Sequence, residues 1–208
     1  LALERQKEKE ILAGLTALSG SKENWEAELD RIVLLLDYPS GKIRAKALWF
    51  LGEMGLRHPN KAEPHIPRIA GFISDEDEKI RERALGALGR IGRGRYELAA
   101  PYLDVMLERA RDRAPLVRMN LIWAAENIAV NHPEAFENSM DLFASLLDDE
   151  AVRVRIEAPE LFRVIGKRKP AMVEPYLDKL KAMAEGDENQ VVRIHSAGAV
   201  KAAMKTKA

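Results

Sequence analysis

Four times in this chain an aspartate is followed six residues later by an arginine: Asp75/Arg81, Asp112/Arg118, Asp149/Arg155 and Asp187/Arg193. The arginines step by 37, 37 and 38 residues, and Arg44 stands 37 before Arg81. A fixed period of about 20 to 50 residues describes a unit that buries its apolar face only against its neighbours. Such a chain stacks into a solenoid, and its function is expected to be that of a surface.

Each period holds two helical patterns. In the first, apolar residues fall in register at Leu29, Ile66, Leu103, Met140 and Leu177, with partners three residues later at Ile32, Ile69, Met106, Phe143 and Leu180. A third set follows at Leu36, Ile73, Ala110, Leu147 and Ala184. Spacing of this kind makes one buried stripe per helix. Pro64, Pro101 and Pro175 stand near the helix starts, where a missing N–H costs little, and Asn138 takes that place in the fourth unit. The second pattern starts after the acidic turn, at Ile43, Ile80, Val117, Val154 and Val192. Its small or apolar partners are Ala47, Ala84, Leu121, Ala158 and Ser196, then Leu51, Leu88, Ala125, Phe162 and Val200. Gly55, Gly92 and Gly166 are expected to close three of these helices in a left-handed conformation. Pro159, inside the fourth, is expected to kink it. Residues 1–18 read as an amphipathic capping helix on Ile11, Leu15 and Leu18.

The run P-x-x-x-x-L, then D-x-x-x-x-[VI]-R-x-x-A-x-x-x-L-G-x-[IV]-G, resembles the HEAT repeat. It is clearest at Pro64, Asp75, Ile80, Arg81, Ala84, Leu88, Gly89, Ile91 and Gly92. The expected fold is all-α: a right-handed α-solenoid of about five HEAT-like helix pairs behind the capping helix. The expectation is one domain over 1–208, with repeats near 25–57, 62–94, 99–131, 136–168 and 173–204. The resemblance implies that the aspartates lie in the turns, that the arginines form a hydrogen-bonded ladder with aspartates, and that the second helices line a concave face. On this reading Arg118 is the partner of Asp112. The first unit departs from the pattern, with Tyr38 at the ladder position and Asp37 one residue early.

Charge limits the partners. Lys+Arg and Asp+Glu are both 33, balanced in each half of the chain, so neither a basic nucleic-acid arm nor an acidic tail is present. Cysteine is absent, which excludes disulfides and thiolate chemistry. No apolar run approaches the ~20 residues of a membrane span, no signal peptide is visible, and a cytoplasmic setting is expected. Leu1 is not a native start, so the chain reads as trimmed or a fragment. Acidic turns (Asp75–Glu78, Asp148–Glu150, Asp187 and Glu188) precede the second helices. Basic segments (Arg90, Arg93 and Arg95; Lys167, Arg168 and Lys169; Lys201, Lys205 and Lys207) end them. Either that order complements the helix macrodipole, or the basic segments form an edge for an anionic partner.

Trp49 and Trp123 occupy one register position two units apart, off the buried stripe, where the other units carry Gly86, Glu160 and Gly198. Either each packs over a neighbouring repeat or both anchor a partner, Trp and Arg being favoured hot spots. On the same face lie Lys46, Glu53, Arg83 and Arg90, then Asn120, Glu126 and Asn127, then Glu157 and Arg163. Trp25 is expected to pack against the capping helix. The histidines His58, His65, His132 and His195 have no metal-site spacing, and Gly-Arg-Ile-Gly-Arg-Gly at 89–94 ends a helix instead of opening one. No metal or other cofactor is expected.

These residues point to a non-enzymatic scaffold that holds a protein or peptide on its concave face. Two alternatives are a nucleic-acid binder like the HEAT-like glycosylases of alkylated bases and a relative of HEAT-like bilin lyases. Neutral charge disfavours the first, and repeat type alone supports the second. The chain is expected to be a monomer or to self-associate weakly through its terminal repeat.

Overall fold

The computed structural model describes residues 2–205, and among them every regular element is helical. Lys207, counted above with the basic segments, lies outside the described residues. The chain divides into two compact units, Leu1–Tyr102 and Leu103–Ala208.

The first unit contains α1 (Ala2–Leu18), α2 (Trp25–Leu34), α3 (Gly41–Arg57), α4 (Pro59–Ala62), α5 (Ile66–Gly71), α6 (Glu78–Gly94) and α7 (Tyr96–Ala99). The capping helix α1 packs on α3 and buries Leu15 and Leu18. Trp25, also buried, donates its indole N–H to the Leu18 carbonyl at 2.8 Å, tying α2 to the end of that cap. The long helices α3 and α6 pack side by side. A Cβ built on Gly52 would meet Ala87 Cα at 2.7 Å, one on Gly55 would meet Ile91 at 2.6 Å, and one on Gly94 would meet the Leu56 carbonyl at 2.8 Å. Contacts that advance together along both sequences mean that the two helices run parallel.

The second unit contains α8 (Leu103–Leu107), α9 (Pro115–Ala129), α10 (Met140–Ser145), α11 (Val152–Gly166), α12 (Pro170–Val173), α13 (Leu177–Gly186) and α14 (Gln190–Met204). Here α11 lies between α9 and α14, and α13 packs on α14. The second-helix stripe is buried throughout at Val117, Val154 and Val192, with Leu121, Ala158, Ser196, Ala125 and Phe162 beneath it.

Local chemistry sets the boundaries. Asp77 accepts the backbone N–H of Lys79 at 2.8 Å to open α6, Asn189 does the same for Val191 and Val192 at α14, and Pro115 starts α9. Two sequence expectations need correction. The first helices begin earlier than Pro64 and Pro175: a four-residue α turn precedes each proline, which then lies in a 3-10 turn, Glu63–His65 or Glu174–Tyr176. A ring without an N–H interrupts the α ladder, and the tighter turn absorbs the break. No described glycine has positive φ, so Gly55, Gly92 and Gly166 are not left-handed caps. At Gly55 and Gly166 what matters is the missing Cβ, since one on Gly166 would sit 3.2 Å from that of Ala203. Pro159 is buried inside α11, which runs from Val152 to Gly166.

The arginine rungs differ from the expected intra-repeat pairs. Arg118 donates Nη1 to the main-chain carbonyl of Asp112 at 2.8 Å, while Nε and Nη2 grip the two carboxylate oxygens of Asp149 at 2.7 Å each. The side chains of Arg118 and Asp149 are 9% and 7% exposed, and the contact with Asp149 holds the guanidinium above its ordinary pKa. Arg155 repeats this with the Asp149 carbonyl at 2.9 Å and the Asp187 carboxylate at 3.2 Å. The carboxylate partner of Arg118 is therefore Asp149, in the following repeat. The Asp112 carboxylate caps its own turn by accepting the Ala114 N–H at 2.9 Å. In the first unit Arg81 donates to the carbonyls of Asp75 and Glu76 at 2.9 and 3.0 Å. Arg193 makes the corresponding bond to the Asp187 carbonyl at 2.6 Å.

Candidate binding face

A stripe at i, i+4 and i+7 runs along α3 as Lys42, Lys46 and Trp49, and its counterpart on α6 begins with Lys79 and Arg83. Helical geometry puts each set on one side of its cylinder. Between the two helices they enclose a cleft of about 340 Å³ lined by Lys42, Ala45, Lys46, Trp49, Lys79 and Arg83. Trp49 is half-buried. Its ring meets Phe50 edge-on at 4.9 Å and Trp25 at 6.4 Å, while the Lys46 ammonium stands 5.0 Å from its centroid. The two sequence readings of Trp49 thus describe different parts of one side chain: it packs on the aromatic cluster and also walls the cleft.

Other residues placed on this face in the first unit are committed to one another. Arg90 Nε pairs with Glu53 Oε1 at 2.6 Å, with both side chains mostly buried. Burial pulls the Arg90 pKa down and the Glu53 charge opposes that pull. Arg57 adds a second cation to Glu53 at 3.2 Å. On α6, Lys79 reaches Glu82 at 2.7 Å, and Arg83 lies 3.8 Å from the same carboxylate.

In the second unit the face is of another kind. Trp123 is half-buried, Asn120 donates to the Leu116 carbonyl at 2.9 Å, and buried Asn127 donates to the Trp123 carbonyl at 2.9 Å. Both amides are turned onto their own helix. Glu126 is largely buried with Oε1 lacking a hydrogen-bond partner, and burial together with the nearby Glu157 and Glu160 raises its pKa to about 9. Burial also raises Glu157, with Glu160 adding to the effect. Glu160 itself accepts from Arg163 Nε at 2.7 Å and lies 3.6 Å from His195 Nδ1. His195 donates that N–H to the Ile156 carbonyl at 2.8 Å. A second cleft, of about 290 Å³, is lined by Arg163, Lys167, Gly198, Lys201, Ala202 and Lys205.

Sequence reasoning did not single out Lys42 or Lys79, although both stand one residue before the register positions Ile43 and Ile80. The tryptophans mark the middle of their helices, whereas these lysines lie in the first turn. Among the described residues no group of three His, Cys, Asp or Glu side chains could hold a metal ion, and no helix is long and apolar enough to cross a membrane.

Residues 41–91 match the family model of the HEAT-like repeat. An engineered protein of known structure superposes with a TM-score of 0.71 at 14% identity, covering 93% of this chain and 84% of that one. A designed armadillo repeat protein in complex with the peptide (KR)4 matches at 0.69 and 20% identity, with 94% of both chains covered. Computationally designed armadillo repeat proteins for modular peptide recognition match at 0.62 and 21% identity, over 85% of this chain and 82% of theirs. No curated protein matches the chain in sequence. At these identities the likeness is one of fold: an all-α, HEAT-like and armadillo-like repeat fold of the α-solenoid class.

Proposed function

We propose that this HEAT-like repeat protein is a non-enzymatic scaffold that binds a protein or peptide segment on the outward side of its second helices. The observation that carries this reading is Trp49, whose ring walls an open cleft beside Lys46 while it packs edge-to-face with Phe50 and Trp25. A half-buried aromatic held by packing loses little conformational freedom when a partner arrives, which suits it to be an anchor. Trp123 is the corresponding anchor of the second unit, and Lys46, Arg83, Asn120, Glu157 and Arg163 supply polar surroundings. Glu53 and Arg90 brace this surface through their ion pair. The designed neighbour that holds (KR)4 supports peptide recognition on this fold.

Selection of a random peptide display library on the native protein tests the reading. Enriched peptides are expected to bind the wild type and to lose on the order of 2 kcal/mol of binding energy with Trp49→Ala or Trp123→Ala, as truncated aromatic hot spots do. Failure to enrich any peptide, or peptides indifferent to both substitutions, would sink it.

A further inference from the structure

The cations of the first-unit cleft include two at the starts of helices, where a base opposes the macrodipole. Helix stability favours bases in the last turn and acids in the first. Lys167, Lys201 and Lys205, which line the second-unit cleft, obey that rule at the ends of α11 and α14. Lys42 and Lys79 break it, each being the second residue of a 17-residue helix, and α3 has no acidic residue in its first turn. Their positive charge adds to the positive ends of two parallel helices, and Lys46 and Arg83 follow one turn later. Helix stability therefore does not account for these four charges.

Carboxylates nearby do not neutralise them. Glu82 contacts Lys79 at 2.7 Å and Arg83 at 3.8 Å, one acid against two bases. Asp77 is occupied with the N–H of Lys79, and its other oxygen lies 3.2 Å from where a Gly41 Cβ would stand. Among the described residues Lys42 makes no ion pair, and Lys46 is held over the Trp49 ring at 5.0 Å. The cleft therefore combines four cations, one apolar wall and a volume of about 340 Å³, within the ~300–1,000 Å³ of ordinary ligand clefts.

Resting on the scaffold reading above, we infer that this cleft recognises an acidic peptide segment. Its Asp and Glu side chains lie against Lys42, Lys46, Lys79 and Arg83, and an apolar residue between them lies on Trp49. Charge complementarity favours this occupant, and the cations give it both orientation and a fast encounter. A nucleic-acid backbone fits less well, because phosphates need cations repeated along a track. Here the next groups along the face are the carboxylates Glu53 and Glu82. The designed neighbour takes a peptide of the opposite charge, so the fold does not dictate the sign and the side chains lining each face do.

Fluorescence anisotropy on the full chain tests this. The probes are a labelled peptide of alternating Asp and Glu around a central Leu, the peptide (KR)4, and a short oligothymidylate. The acidic peptide is expected to bind, to weaken as salt rises, and to lose about tenfold or more in affinity with Lys46→Glu, a loss typical of a reversed interfacial charge. Lys42→Glu, at an exposed position, should act in the same direction and guards against a folding defect in the first variant, checked by circular dichroism. An acidic peptide that does not bind, or binds both variants as well as wild type, overturns the inference. If library-selected peptides of other composition still depend on Trp49 in that case, the scaffold reading survives. Oligothymidylate bound more tightly than the peptide, and lost with Lys46→Glu, overturns both.

Discussion

The two units use one repeat and hold it together differently. In the second, successive repeats are joined by buried arginine–carboxylate rungs, Arg118 to Asp149 and Arg155 to Asp187. In the first, the corresponding Arg44 has its Nε buried without a hydrogen-bond partner among the described residues, and the joint depends on glycines that let α3 and α6 touch and on the edge-to-face cluster of Trp25, Trp49 and Phe50. Their outward sides differ too: four cations surround Trp49 in one, whereas Glu126, Glu157 and Glu160 cluster in the other. A repeat constrains its buried positions tightly and its outward ones hardly at all, so one architecture can carry different side chains on the same face.

The contrast in rungs is broken or confirmed by the largest expected effect. Arg118→Ala should cost about 3–5 kcal/mol, because Asp149 would keep a buried and uncompensated charge. Arg44→Ala should cost under about 1 kcal/mol, since it deletes a donor that already lacks an acceptor. Urea unfolding of both variants decides the matter, and equal losses would erase the distinction between the joints.

The contrast in helix contact predicts a smaller effect. Gly52→Ala forces a methyl to within 2.7 Å of the Ala87 Cα, a backbone atom with no rotamer to escape into. Overpacking of that kind costs roughly 1–3 kcal/mol. Gly166→Ala meets Ala203 only at 3.2–3.3 Å and should cost clearly less. Thermal unfolding of the pair would sharpen the comparison, and the reverse order would refute it.

The carboxylate cluster of the second unit is distinguished through pH. Folded Glu126 titrates at about 9, against an ordinary value of 4.5. Between those values the folded chain binds a proton that the unfolded chain has released. This contribution to stability is complete below about pH 4.5 and is lost as pH rises towards 9. Glu157, raised for the same reason, adds in the same direction. Glu126→Gln should therefore melt higher than wild type at pH 9, with the difference shrinking towards acid. A constant difference across pH would assign no titration to this site.

Much of the fold was legible because burial is periodic. Ile43, Ile80, Val117, Val154 and Val192 recur in phase, and every one of them is fully buried. The tryptophans also stood out by their shared register. Less legible were the partners of the arginines and the roles of the glycines. An Asp-to-Arg spacing of six looks like a pair, yet at that distance along the chain the guanidinium meets the main-chain carbonyl, and the carboxylate comes from the following turn. A glycine near a helix end looks like a cap, yet at Gly55 the constraint is a neighbouring isoleucine.

The sequence by itself determined the repeat, its helical class and most of the buried positions, because periodicity in apolar residues is a one-dimensional signal that any stacked helix pair must satisfy. Leu103, Leu177, Ala184 and Val200, though in register, are only half-buried. Tertiary structure decided which outward groups remain available. Glu53 and Arg90, Asn120 and Asn127, Lys46 and Trp49 all lie off the apolar stripe. Only their neighbours in space show that the first pair is closed into an ion pair, the two amides are folded onto their own helices, and the lysine and tryptophan wall a cleft. Polar partners are chosen by distance across packed helices, and that distance has no period along the chain.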